Sequence, residues 1–175
     1  MPATLTQVVS GGQTGVDRAG LDAAIFHNIP HGGWCPEGRR AEDGRIPNLY
    51  LLRETKSRNY TIRTRQNVVD SDGTLILFED SMSRGTELTS KYAKQQKRAL
   101  YALDIIDFLD WSEQRFDQEI QQVHQWIEDQ NVNVLNIAGP RESSSPGIGG
   151  IACLFLLRLF ESYVPREIEA STEAQ

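Results

Sequence analysis

The sequence predicts an α/β fold with a mostly parallel central sheet. Two observations carry that expectation. Short β-branched or apolar runs alternate with helical patterns along the chain, and three of those runs end in glycine-rich or polar loops leading into a helix. In such a sheet the loops at 10–18, 80–87 and 139–148 share the carboxyl edge of the strands, where open α/β folds place ligands. A length of 175 residues suits one domain with a sizeable core. That domain is expected over residues 1–164, with 165–175 as a loose acidic tail.

Residues 5–9 read as a short buried strand, followed by a helix over 16–26 that Asn28, Pro30, Gly32 and Gly33 stop. Residues 31–50 are irregular, and a stretch of that length inside a compact domain points to a binding role. Trp34 supplies a flat face there, set either over a heteroaromatic ligand or over a sheet edge. A polar helix is expected over 59–69 with Ile62, Gln66 and Val69 on its packed side, then a turn at 70–73 and a strand at 74–78. Thr86 is the expected cap of the next helix, beginning at Glu87, although its capping box has threonine at position 89 where an acid belongs. A strand at 99–106 precedes an amphipathic helix marked by Phe116, Ile120, Val123 and Ile127 at helical spacing. The last strand, 132–138, feeds the loop at 139–147 and a helix over 148–160. The apolar character of that helix predicts burial on more than one side, in part by another subunit.

The formal net charge of -6 argues against a general nucleic-acid or anionic-membrane surface. A local basic pocket is compatible with it. Arg39, Arg40, Arg53, Arg58, Arg63 and Arg65 fall in one region, most of them expected in solvent, with one or two converging on a phosphate. Lys91, Lys94, Lys97 and Arg98 read as solvated helix residues. Two cysteines without paired metal spacing argue against a disulfide framework or a zinc site. Cys153 reads as a buried small hydrophobe, whereas Cys35, in a Gly/Pro-rich loop, is open to an exposed thiol role. Residues 151–157 are too few to span a membrane and no signal segment opens the chain, so the expected location is cytoplasmic.

The chemistry centres on the loop that follows the first strand. Gly11, Gly12 and Gly15, with Gln13 and Thr14 between them, permit backbone shapes that side chains obstruct, and the helix behind them offers unpaired amides to an anion. The loop lacks the Walker lysine and the GxGxxG spacing. Gly85 with Thr86, and the stretch from Ser143 and Ser144 to Gly147, form its expected second and third polar walls. No catalytic triad stands out: Ser10 and Ser143 occupy binding loops, and His124 reads as structural or surface. No metal ligands are assigned.

Residues 10–18, 33–39, 41–44, 54–55, 60, 63–64, 67–68, 70–74, 85–89 and 136–143 together resemble the molybdenum-cofactor carrier family. That family is similar to a wider Rossmann-like group containing DprA-type DNA-processing proteins and LOG-type phosphoribohydrolases. The resemblance implies a three-layer Rossmann-like fold and a homo-oligomer, a tetramer among its forms. It also implies a non-catalytic role: holding and protecting the molybdenum cofactor (molybdopterin) before delivery to molybdoenzymes or cofactor-biosynthesis proteins. The implied contacts run to phosphate and pterin, with no protein ligand to the metal. On that reading Asp43 or Asp72 accepts protons from the pterin ring, Arg39 or Arg84 offsets cofactor charge, and Arg18 is among the cofactor contacts; its structural alternative is a pair with Asp17 or another buried acid. Two alternatives use the same pocket: a nucleotide or nucleotide-derived-ligand sensor, and a phosphoribohydrolase-like enzyme. The enzyme branch resembles a loop with a catalytic glutamate three residues after its threonine, and here Thr89 holds that place while Glu87 is out of register.

Overall fold

The computed structural model describes residues 5–163. In chain order the elements are β1 (Gln7–Val9), α1 (Val16–Phe26), β2 (His31–Gly32), β3 (Trp34–Cys35), β4 (Arg40–Ala41), β5 (Gly44–Arg45) and β6 (Arg53–Glu54). There follow α2 (Tyr60–Val69), β7 (Gly73–Phe78), α3 (Arg84–Gln95), β8 (Ala99–Asp104), α4 (Glu113–Asp129), β9 (Val134–Ala138) and α5 (Ile148–Phe160). The expected alternation of strand and helix is present. The expected tail at 165–175 lies outside the described residues.

Five strands form one sheet in the order β2-β1-β9-β7-β8, with every neighbouring pair parallel. The order has a simple relation to a doubly wound sheet. If β9 is counted first, the strands run 3-2-1-4-5, the order of a Rossmann half with its neighbour. The last strand of this chain therefore holds the place of the first strand in that plan. The direction of travel reverses between β9 and β7, and the crevice above their carboxyl ends is the switch point where such sheets bind ligands.

Right-handed crossovers decide which face each helix covers. The steps β1 to β2 and β8 to β9 run toward one edge, and the steps β2 to β7 and β7 to β8 toward the other. Helices α1, α4 and α5 accordingly pack together on one face, and α2 and α3 on the other, giving three layers. The first face is apolar: Leu75, Leu77, Leu103, Leu135 and Ile137 meet Val16, Ala23, Val123, Ile127, Phe155 and Leu159 in one buried cluster. The second face is more polar. Thr74 and Asn136 are buried there as register partners, and the Asn136 amide donates to Thr74 Oγ1 at 3.2 Å.

That polar layer explains two departures from expectation. In α2 the buried residues are Asn67 and Val68, while Ile62 is exposed. The inner side of this helix does not follow hydrophobicity, because Asn67 brackets the backbone of Trp34, accepting from its amide at 2.7 Å and donating to its carbonyl at 3.0 Å. Helix α3 begins at Arg84 rather than Glu87, and Ser83 is its cap, accepting from the Thr86 amide. Thr86 is buried in the first turn, its hydroxyl against that of Ser83. The stretch at 31–50 is also more ordered than its composition suggests, since β3 pairs with β6 and β4 with β5. Cys35 lies fully buried in that ladder, with burial pushing its thiol pKa up, which removes the exposed-thiol role. His124 Nε2 donates to the Leu159 carbonyl at 2.9 Å and lies 3.1 Å from the Ser162 hydroxyl, tying α4 to the end of α5.

Candidate functional site

A cavity of about 360 Å³ opens at the carboxyl edge where β9 and β7 diverge. Its floor is Ala138 and Gly139, its walls Tyr60, Arg63 and Thr64 from α2 and Ser83, Arg84, Gly85, Leu88 and Thr89 from α3. Gln13, Asp17, Arg141 and Ser144 close the remaining side. The volume falls within the range of small-molecule sites. Three arginines, Arg63, Arg84 and Arg141, line one space.

The three glycine-rich or polar loops are not equivalent as anion sites. In the loop before α1 the chain has used its own donors. The Gln13 amide donates to Asp17 Oδ2 at 3.3 Å, the Gly12 amide to Ser10 Oγ at 3.3 Å, and the Thr14 amide to Gln13 Oε1 at 3.0 Å. Asp17 is only 4% exposed and sits where an external anion would otherwise reach this helix end. Before α5, the Glu142 carboxylate takes the amides of Gly147 and Gly149. Of the three loops, only the one before α3 leads into a helix terminus that faces the cavity without a carboxylate on its amides; α2 also turns its first turn to the cavity, but there Asn59 takes the Thr61 amide. The first two helical amides of α3, Arg84 and Gly85, lack intrahelical acceptors by geometry, and both residues line the space. A Cβ built on Gly85 meets nothing within 4 Å.

Arg63 links the open site to the plugged one. One terminal nitrogen lies 3.1 Å from Asp17 Oδ2, and its buried Nε has no hydrogen-bond partner among the described residues. The guanidinium lies flat on Gly11, so close that a Cβ there would stand 2.0 Å from it. Burial raises the Asp17 pKa, while Arg63 and the amides of Gln13 and Gly11 pull it back down.

Glu42, on the β4–β5 turn, joins three loops beside the cavity. Its carboxylate accepts from the hydroxyls of Thr14 and Ser143 and from the Ser143 amide at 3.0 Å, and it lies 3.4 Å from Arg141. Its own amide donates to Gln13 Oε1. Desolvation opposes ionisation there, but the donors from Ser143 and Thr14 prevail and hold the carboxyl below the usual range.

Several expected ligand contacts are structural in this arrangement. Arg39 is buried and donates to the carbonyls of Ile46, Pro47, Tyr50 and Leu52, which fastens the loop ahead of β6. Asp43 is paired through both oxygens with Arg18, which also donates to the Gly12 carbonyl. Asp72 precedes β7, at the opposite edge of the sheet, and accepts from the amides of Asn133 and Val134. Trp34 does not line the cavity; its indole donates to Asp70 and carries Arg53 over its face at 4.7 Å. Gln13, Arg84, Gly85 and Ser144 do line it. Of the six arginines in the basic region, Arg63 is the one that converges there.

Among the described residues no group of three His, Cys, Asp or Glu side chains is placed to hold a metal ion. None of their helices is long and apolar enough to cross a membrane.

Comparison with known proteins agrees with the strand order. No curated protein matches the chain. A crystal structure of a protein from Syntrophus aciditrophicus SB, described as a "Putative molybdenum carrier protein", is similar at 42% identity and a TM-score of 0.82, over 91% of this chain and 96% of that one. The family model described as "Circularly permutated YpsA SLOG family" matches residues 8–160. A last strand in the place of the first is the order that a circular permutation produces, and the chain belongs to the circularly permutated YpsA SLOG family.

Proposed function

We propose that this protein binds a phosphate-bearing molybdenum cofactor as cargo, shields it, and hands it to molybdoenzymes or cofactor-biosynthesis proteins of the cytoplasm. The carrying observation is the cavity at the switch point, lined by an open helix terminus and three arginines. On this reading Arg84, Arg63 and Arg141, with the amides of Arg84 and Gly85, hold the phosphate. Tyr60 and Leu88 flank the pterin. The bound molecule brings its own dithiolene ligands to molybdenum, so the protein contributes shape and charge. The name given to the Syntrophus protein supports the same reading. Self-association belongs to it as well: the adjoining helices α1 and α5 carry Phe26 and Leu154 exposed on their surfaces.

Binding rather than turnover fits the lining. Asp17 is the only carboxylate among the residues that line the cavity, and Arg63 already engages it. Thr89 lies in the wall with its hydroxyl on the Gly85 carbonyl at 3.1 Å, and Glu87 is exposed outside it. A general acid or base for glycosidic cleavage needs a carboxyl within reach of substrate. The doubly wound strand order favours one second reading, a nucleotide sensor using the same phosphate position.

The test is anaerobic purification followed by titration with intact cofactor. Retained pterin fluorescence with molybdenum, saturable binding, and transfer to a cofactor-free molybdoenzyme support the carrier. A nucleotide bound in the cavity without cofactor retention supports the sensor.

A further inference from the structure

We infer that Glu42 makes the site select ligands bearing one phosphate over ligands bearing two. The inference rests on the proposed phosphate site and adds the class of ligand it takes.

Arg63, Arg84 and Arg141 line the cavity, and Arg141 connects it to a cluster outside that lining. The donors of the cluster are the Thr14 hydroxyl and the amide and hydroxyl of Ser143. All three are directed at the Glu42 carboxylate, which also sits 3.4 Å from Arg141 Nε. That set of two hydroxyls, one amide and one guanidinium would suit a second phosphate group. It is filled from within.

The occupant is held in place. The Glu42 amide is fixed to Gln13 Oε1 at 2.9 Å, and the adjacent Asp43 is paired with Arg18 at the base of α1. Its side chain is 19% exposed, so it lies at the rim and within electrostatic reach of a ligand. Its donors also keep the carboxyl ionised at neutral pH. A monophosphate seated at α3 draws on Arg141 but leaves the Thr14 and Ser143 contacts of Glu42 intact. A diphosphate extended past Arg141 must either meet a carboxylate or expel it from four partners. One like charge at such range near a surface is worth about tenfold in affinity.

The experiment is calorimetric titration of the full chain and of Glu42→Gln with inorganic phosphate, pyrophosphate, AMP and ADP, at pH 7 and low salt. The native protein is expected to bind phosphate and AMP more tightly than pyrophosphate and ADP. Glu42→Gln keeps the size of the side chain and removes its charge. It is expected to gain about tenfold for the two diphosphates while the monophosphates change less than about threefold. Equal or tighter diphosphate binding by the native protein overturns the inference even if Glu42→Gln does not fold. An unchanged ratio in a folded Glu42→Gln overturns it too, while leaving the phosphate site standing. Failure of all four probes to bind either protein removes the proposed site itself and this inference with it.

Discussion

Replacing Arg63 with methionine tests the link between the buried acid and the cavity. Asp17 and Arg63 have side chains 5% and 14% exposed and stand 3.1 Å apart. Removing one partner of a buried pair costs roughly 3–5 kcal/mol. The Gln13 amide at 3.3 Å and the Gly11 amide still face Asp17, so the lower end, about 3 kcal/mol at pH 7, is expected. The loss carries a pH signature. Burial already raises the Asp17 pKa above the usual carboxylate range, and removing the cation raises it further. A carboxyl with a raised native pKa contributes its full stability below the unfolded pKa and loses it as pH rises through the native value. The deficit of Arg63→Met must therefore shrink as the pH falls from 7. Urea denaturation of both proteins at pH 7 and pH 5 measures it. Adding Asp17→Asn to Arg63→Met should recover much of the loss at pH 7. A deficit below about 1 kcal/mol at pH 7, or one equal at both pH values, refutes the reasoning.

Two further substitutions separate folding from binding. Gly12→Asp tests folding, because Gly12 has φ of 71° and its added Cβ would stand 2.5 Å from Leu52 Cδ1. It should cost about 2 kcal/mol or more of stability in thermal denaturation without any ligand present. Arg84→Ala alters an exposed residue at the cavity wall. It should leave stability within about 0.5 kcal/mol and weaken phosphate binding about tenfold by calorimetry.

How far the sequence reaches is clear from particular residues. Helices α1, α4 and α5 and strands β7, β8 and β9 were legible because each has enough length for a period or an apolar run to register. The two-residue strands β3 to β6 are too short to carry one. Their order comes from distant partners, such as the four carbonyls that Arg39 gathers. Helix α2 turns a different face inward because, Val68 apart, its inward residues are polar and answer to Trp34 and the cavity. The three loops were correctly gathered at one edge by parallel alternation alone. Which of them stays open depended on Asp17 and Glu142 folding back onto their own helix ends. Glu42 carried no local signal, since its partners lie 28 and 101 positions away. The permutation is a property of strand order, and local patterns do not report order.

The open terminus of α3 is the central claim, and Gly85→Asp addresses it directly. The position has room for a side chain, with nothing within 4 Å of the added Cβ, and an acid in the first turn favours the helix. The fold should therefore persist while a negative charge enters the phosphate position. The measurement is an anaerobic titration of native and Gly85→Asp proteins with intact molybdenum cofactor. Saturable binding by the native protein, weakened at least about tenfold in the folded variant, is the predicted result. Absence of saturable binding to the native protein, or equal affinity in both, contradicts the account.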